Sequence, residues 1–224
     1  YSYLKKNEFD KNVVHESGVD EFNYIYKSNL WGSKESVSGK GSELSYTKNY
    51  VKKLDFFLKK YEIKSIFDAP CGDLNWINKK ILNNNLKYIG GDIVTDIVEQ
   101  NKINYKELEF INFDLTKDKF PEVDLWHCRD CFFHLSYKDI INSLRNFVNS
   151  NISYALITNH SGLLFKNVNI KTGGFRFLDF KKNPFNFSNP NYQIKDYFFL
   201  RDFPRYVCLW KREDISKFIK NINY

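Results

Sequence analysis

The chain has 224 residues, of which 42% are hydrophobic and 18% aromatic, enough for one α/β domain with a full core and too apolar for a disordered chain. No apolar run approaches the roughly 18 residues a membrane span needs, and the opening Tyr1-Ser2-Tyr3-Leu4-Lys5-Lys6 has no signal-peptide pattern, so a cytoplasmic address is expected. The net charge of +7 comes mostly from scattered lysines, and the six arginines all fall from Arg129 onward, so a surface that tracks nucleic-acid phosphates is not expected.

In chain order, residues 1–30 mix charges with aromatics and read as helix or irregular cover. Residues 31–47 collect Gly32, Gly39, Gly41 and five serines behind Trp31. This stretch reads equally well as a flexible loop before a helix, with Ser45 or Thr47 near its start, or as a flap whose N–H groups and hydroxyls close on a ligand. Over 50–61, Val51, Leu54, Phe57 and Leu58 share one helical face. Strand and helix patterns then alternate, as in a parallel sheet. Strands are predicted at 65–69, 87–92, 109–113, 123–128 and 154–158. Helices are predicted after Asp73, at 97–104 and at 138–148, the last with Ser136 as its N-cap. Residues 160–195 hold Gly173-Gly174, Pro184 and Pro190 with little periodicity, which marks a functional insertion. Two strands, at 196–200 and 206–210, should pair antiparallel before a short terminal helix.

The chemistry centres on 65–76, SIFDAPCGDLNW. An apolar run ends in Asp68 and breaks into a turn, the place where open α/β sheets hold their ligands. A dinucleotide site wants several glycines and no negative charge. This turn has one glycine, Gly72, between Asp68 and Asp73. Two carboxylates suit a ligand bearing an ammonium or sulfonium, and S-adenosyl-L-methionine (SAM) bears both. Asp92, 20 residues after Gly72, is placed to accept from ribose hydroxyls, or else to cap the next helix. Asp114 ends the third strand and can reach an adenine amino group, with Phe113 and Leu115 against the ring. Cys128 and Cys131 have the spacing of half a zinc site, but no second half follows, so no metal is expected. With Cys71 and Cys208 they do not form a disulfide scaffold.

DAPCGDLNW at 68–76, YIGGDIV at 88–94 and CRDCFFHLS at 128–136 resemble a bacterial subgroup of class I SAM-dependent methyltransferases. WGSKESVSGKGS at 31–42 and PFNF at 184–187 fit the same subgroup, several members of which belong to capsular polysaccharide gene clusters. The resemblance covers roughly residues 30–190. It implies a single domain with a Rossmann-like, seven-stranded, mostly parallel sheet of order 3-2-1-4-5-7-6, the last inserted strand antiparallel. It implies SAM contacts, with S-adenosyl-L-homocysteine (SAH) as product, from Asp68, Ala69, Gly72, Asp92, Ile93, Asp114, Leu115 and Arg129. Contacts from Trp31, Gly32, Ser38, Gly39 and Ser42 of the flap, and from Asp73, complete the expected cofactor set.

Methyl transfer is mostly alignment, because the sulfonium is already activated. A hydroxyl acceptor also needs a base, and His134, after the fourth strand, is the first candidate. His160 is the second, and Asp130 can orient a histidine or bind the acceptor. His127, inside an apolar strand, reads as structural. Trp76, Arg176 and Phe185 are candidate acceptor contacts. Arg176, Lys181 and Lys182 would meet an acidic or phosphorylated acceptor, and Phe175, Phe185 and Phe187 would wall it. The expected acceptor is a small polar molecule of capsule biosynthesis: a sugar, nucleotide sugar or phosphoramidate. The expected assembly is a monomer or homodimer. An RNA or protein methyltransferase and a non-catalytic SAM-binding module are the alternatives.

Overall fold

The structure, a computed structural model, describes residues 18–77, 82, 86–196 and 203–222. Seven strands form one sheet: β1 (Ser65–Asp68), β2 (Lys87–Asp92), β3 (Glu109–Asn112), β4 (Leu125–Cys128), β5 (Tyr154–His160), β6 (Tyr192–Lys195) and β7 (Arg205–Lys211). Their order is β3-β2-β1-β4-β5-β7-β6. The first five strands in that order are parallel, and β7 runs antiparallel to both β5 and β6.

Alternation along the central strands feeds two hydrophobic layers, because successive side chains leave a strand on opposite faces. Phe67, Trp126, Ala155, Ile157, Cys208 and Trp210 enter one layer. Their neighbours Ile66, Leu125, Leu156, Val207 and Leu209 enter the other. Strands buried on both faces need helices on both sides. The described helices are α1 (Gly18–Lys27), α2 (Leu44–Lys60), α3 (Thr95–Asn104), α4 (Tyr137–Val148) and α5 (Arg212–Asn221). Helix α4 packs Ile140, Leu144 and Phe147 into the first layer. Helix α2 packs Tyr50, Val51, Leu54, Phe57 and Leu58 into the second.

Some boundaries differ from the sequence reading, for physical reasons. Helix α2 begins at Leu44 rather than near residue 50, since Glu35 Oε1 accepts the Leu44 N–H at 2.8 Å. The cap comes from nine residues upstream, where no local capping pattern points. The sixth strand is Tyr192–Lys195, earlier than the predicted 196–200. It is an edge strand with only Ile194 buried, so its apolar signal is weak. Asp196 follows it as a buried carboxylate, and residues 197–200 lie outside the described residues. The helix predicted after Asp73 also falls mostly outside them, as do residues 1–17.

Residues 161–191 contain no regular helix or strand. They are tied down by backbone bonds, among them Gly173 N–H to His134 O at 2.8 Å and Phe187 N–H to Phe180 O at 2.8 Å. Ser136 is the N-cap of α4, its hydroxyl accepting the Asp139 N–H at 3.1 Å. Ser136→Ala should therefore cost about 1 kcal/mol of folding stability, read as a lower urea midpoint with an unchanged slope.

Candidate active site

Strands β1, β2, β4 and β5 run parallel and so end on one edge of the sheet. Between β1 and β4 the chain order reverses, and the loops there leave in opposite directions, opening a crevice. A cavity of about 1250 Å³ occupies it, beyond the roughly 300–1,000 Å³ usual for one small ligand. Its walls come from the turn after β1, the ends of β2 and β3, the segment after β4, the 30–42 stretch and the 172–177 stretch.

On the β2 side, Asp92 is buried, and each carboxylate oxygen accepts one backbone N–H: Gly72 at 3.0 Å and Val94 at 3.0 Å. Burial pushes its pKa up to about 6 against those two bonds. Asp92 thus braces the turn at Gly72 while lining the cavity. Gly72 itself has φ +58°, and a Cβ there would run into Ser38 Oγ, so the position needs glycine. Ile93, Asp114 and Leu115 line the cavity as well. Asp114 Oδ1 accepts from the Thr116 N–H at 2.9 Å and its hydroxyl at 2.7 Å, a turn that fixes the carboxylate.

Beneath the β1 turn runs a buried polar chain. Asp68 accepts from the Tyr88 hydroxyl at 2.8 Å and lies 2.6 Å from His127 Nδ1, while His127 Nε2 bonds the Tyr50 hydroxyl at 2.8 Å. Asp68, Ala69 and Trp76 line the cavity above it. Arg129 leaves the end of β4, where it donates to Gly41 O at 2.9 Å and pairs with Asp196 at 3.0 Å. Its guanidinium also lies over the Tyr50 and Trp76 rings, at 5.2 and 5.4 Å. Burial alone would lower its pKa, but Asp130 and Asp196 hold it well above the usual arginine value. Arg205 completes a square of charges, 3.1 Å from Asp130 and 3.2 Å from Asp196. Burial would raise the Asp130 pKa, yet Arg129 and Arg205 outweigh it and hold the carboxylate ionised.

The 31–42 stretch is an ordered roof. Asp73 accepts from the Ser36 hydroxyl at 2.9 Å, the Val37 N–H at 2.9 Å and the Ser38 hydroxyl at 3.1 Å. Its own N–H returns a bond to Ser38 Oγ at 3.1 Å. Trp31, Ser38, Gly39 and Ser42 line the cavity from this roof.

The far end holds the histidines. His134 Nδ1 lies 2.7 Å from Gly174 O, so Nδ1 carries the proton and Nε2 keeps a lone pair. His160 Nδ1 instead accepts the Leu178 N–H at 3.2 Å, which leaves the proton on Nε2. Burial pulls both rings down, His134 to about 4 and His160 to about 3, so both are neutral near pH 7. Trp31 lies over His134 with centroids 5.3 Å apart. Phe133 packs against both rings.

Several expected contacts are elsewhere. Asp73 and Gly32 do not line the cavity, because the Asp73 carboxylate is spent on the roof and Gly32 turns the chain at φ +66°. Arg176 lies beneath the cavity floor, donating to Leu135 O at 2.6 Å and Phe132 O at 3.2 Å. Phe185 is a core side chain packed on Tyr137, Phe180 and Phe218, and Phe187 packs on Trp210. Lys182 donates to the Gly162 and Phe165 carbonyls. Asp196, Arg205, Tyr50 and Phe203 were not picked out from sequence, since no local pattern marks a residue that reaches the site from a distant part of the chain. Among the described residues, no three His, Cys, Asp or Glu side chains converge as a metal site would require.

No protein-family model matches the chain, and no curated protein does. Solved structures match it in shape. Human N-acetylserotonin methyltransferase in complex with SAM aligns at TM-score 0.61 and 13% identity, over 92% of this chain and 61% of that one. Magnesium protoporphyrin IX methyltransferase from Synechocystis PCC 6803, with bound SAH, aligns at 0.54 and 13% identity, over 88% and 95%. A 1,6-didemethyltoxoflavin-N1-methyltransferase from Burkholderia thailandensis aligns at 0.57 and 10% identity, over 86% of each chain. The fold is that of class I methyltransferases. Within this methyltransferase fold, the Asp73 clamp is what holds the roof on the cavity. Asp73→Ala should expose residues 31–42, seen as faster tryptic cleavage at Lys34 or Lys40 than in the parent protein.

Proposed function

We propose that the chain is a SAM-dependent methyltransferase that transfers a methyl group to the oxygen of a small acceptor. The observation that carries this reading is Asp92, a buried carboxylate at the end of β2, braced by Gly72 and facing a cavity large enough for two ligands. SAM, when bound, supplies a methyl group already activated on a sulfonium. Asp92 would accept from the ribose hydroxyls and Asp114 from the adenine amino group, with Ile93 and Leu115 beside the base. Asp68 and the backbone at Ala69 and Gly72 would take the methionyl ammonium, and Arg129 its carboxylate. Trp31, Ser38, Gly39 and Ser42 would close the roof, and residues 160–195 the acceptor wall. The resemblance to the capsular subgroup supports a sugar-like acceptor made within that biosynthesis.

In this reading His134 Nε2 is the base. Its lone pair is kept by the Gly174 carbonyl on the other nitrogen. Nε2 would take the acceptor's hydroxyl proton as that oxygen becomes methylated, with SAH as the other product.

Calorimetric titration should show binding of SAM and none of NADH. Asp92→Ala should weaken SAM binding by about 1–3 kcal/mol, the worth of a hydrogen bond to a charged group. Asp92 has a pKa of about 6 in the free protein. Below that pH it is protonated, so affinity for SAM should fall as pH drops from 7 to 5, and an unchanged affinity would misplace the nucleoside site. His134→Asn keeps a donor to Gly174 O but removes the base. At saturating SAM it should lower kcat by about 100-fold or more with SAM affinity unchanged. Because burial lowers His134 to about 4, the parent kcat should stay level from pH 8 to about 5.

A further inference from the structure

The acceptor end of the cavity says what kind of molecule enters it. Phe133, Phe175, Phe177 and Phe203 form a continuous aromatic wall, with successive centroids 5.5, 5.5 and 4.9 Å apart. Trp31 and Phe22 extend it from the roof and α1, 6.4 Å apart. The charged groups in this part are already paired. Asp130 lies 3.1 Å from Arg205, and Asp139 accepts from Ser136 and Thr172. The cations that an acidic acceptor would want, Arg176 and Lys182, are turned onto backbone carbonyls. Taken over the whole cavity, Asp68, Asp92, Asp114, Asp130 and Asp139 outnumber Lys40, Arg129 and Arg205, so a phosphate would enter against repulsion.

The two histidines add a direction. His134 offers a lone pair and His160 an N–H, each fixed by the bond its other nitrogen makes. A hydroxyl can donate to the first and accept from the second.

Resting on the methyltransferase reading, we infer that the acceptor is an uncharged, hydroxyl-bearing ring with an apolar face, its hydroxyl held between His134 Nε2 and the His160 Nε2–H. The ring lies against the Phe133–Phe175–Phe177 wall, and phosphorylated acceptors are refused. An aromatic alcohol and the CH face of a sugar share this chemistry.

The test uses the full chain with saturating SAM and measures SAH release. The probes are hydroxybenzyl alcohols and methyl hexopyranosides, each beside its phosphate monoester on the primary hydroxyl. Release with an uncharged member, at least about tenfold above its phosphate ester, is expected, and the set that responds tells the aromatic from the sugar source. Equal or better release with the phosphate esters overturns the inference. So does no release from either set while calorimetry shows SAM bound. Failure to bind SAM would instead sink the methyltransferase reading beneath it. With a responding probe, His160→Asn keeps an oxygen for the Leu178 N–H and removes the ring Nε2–H that would reach the acceptor. It should lower kcat/KM for the probe about tenfold or more at unchanged SAM affinity. Unchanged kcat/KM removes His160 from the acceptor site.

Discussion

Everything at the site hangs on the pairing of β1 with two parallel neighbours. Phe67 lies beside Ile89 of β2 and beside Trp126 of β4, so three strands end together and their loops share one rim. The chain moves outward to β3 on one side and to β5 on the other, and the crevice between those directions cannot be filled by a crossover. The ligand cavity is a consequence of the connectivity. The residues at the strand ends then decide what it takes.

What they supply is charge, under strict control. Asp68, Asp92 and Asp196 are buried carboxylates and Asp130 a half-buried one, and each is matched. Asp68 has Tyr88 and His127, Asp92 has two backbone N–H groups, and Asp130 and Asp196 share Arg129 and Arg205. A buried carboxylate without such partners costs several kcal/mol or takes up a proton. Asp92 has only neutral amides as partners, and burial raises its pKa to about 6. The Arg129–Asp196 pair also joins distant parts of the chain, since Arg129 reaches Gly41 of the roof and Asp196 follows β6. Roof, sheet and far edge are thereby coupled through one guanidinium.

The histidines illustrate how geometry assigns a role that residue type leaves open. His134 follows β4 and His160 ends β5, both line the cavity and both are neutral near pH 7. Only the partner of each Nδ1, a carbonyl for His134 and an N–H for His160, separates an acceptor from a donor. The aromatic wall beside them lowers the local dielectric, which strengthens each remaining polar contact.

The sheet was legible in the sequence because its signals are local. Short apolar runs mark β1, β4 and β5, buried on both faces, and an acid at the end of each of the first three strand runs marks the rim, with Gly72 and Asp92 set 20 residues apart. Helix α4 was legible through Ser136 and the face carrying Ile140, Leu144 and Phe147. Side-chain direction across long separations was not. Asp73 reads as a ligand carboxylate until the roof is seen to fold back on it from 35 residues upstream. Arg176 and Phe185 read as acceptor contacts because composition cannot tell a cavity wall from the layer beneath it. Asp196 and Arg205 carry no local pattern at all, and they matter only because the antiparallel β6–β7 pair brings them to Arg129 and Asp130. Local periodicity and turn chemistry determined the fold, whereas the packing of irregular segments decided which charges reach the cavity.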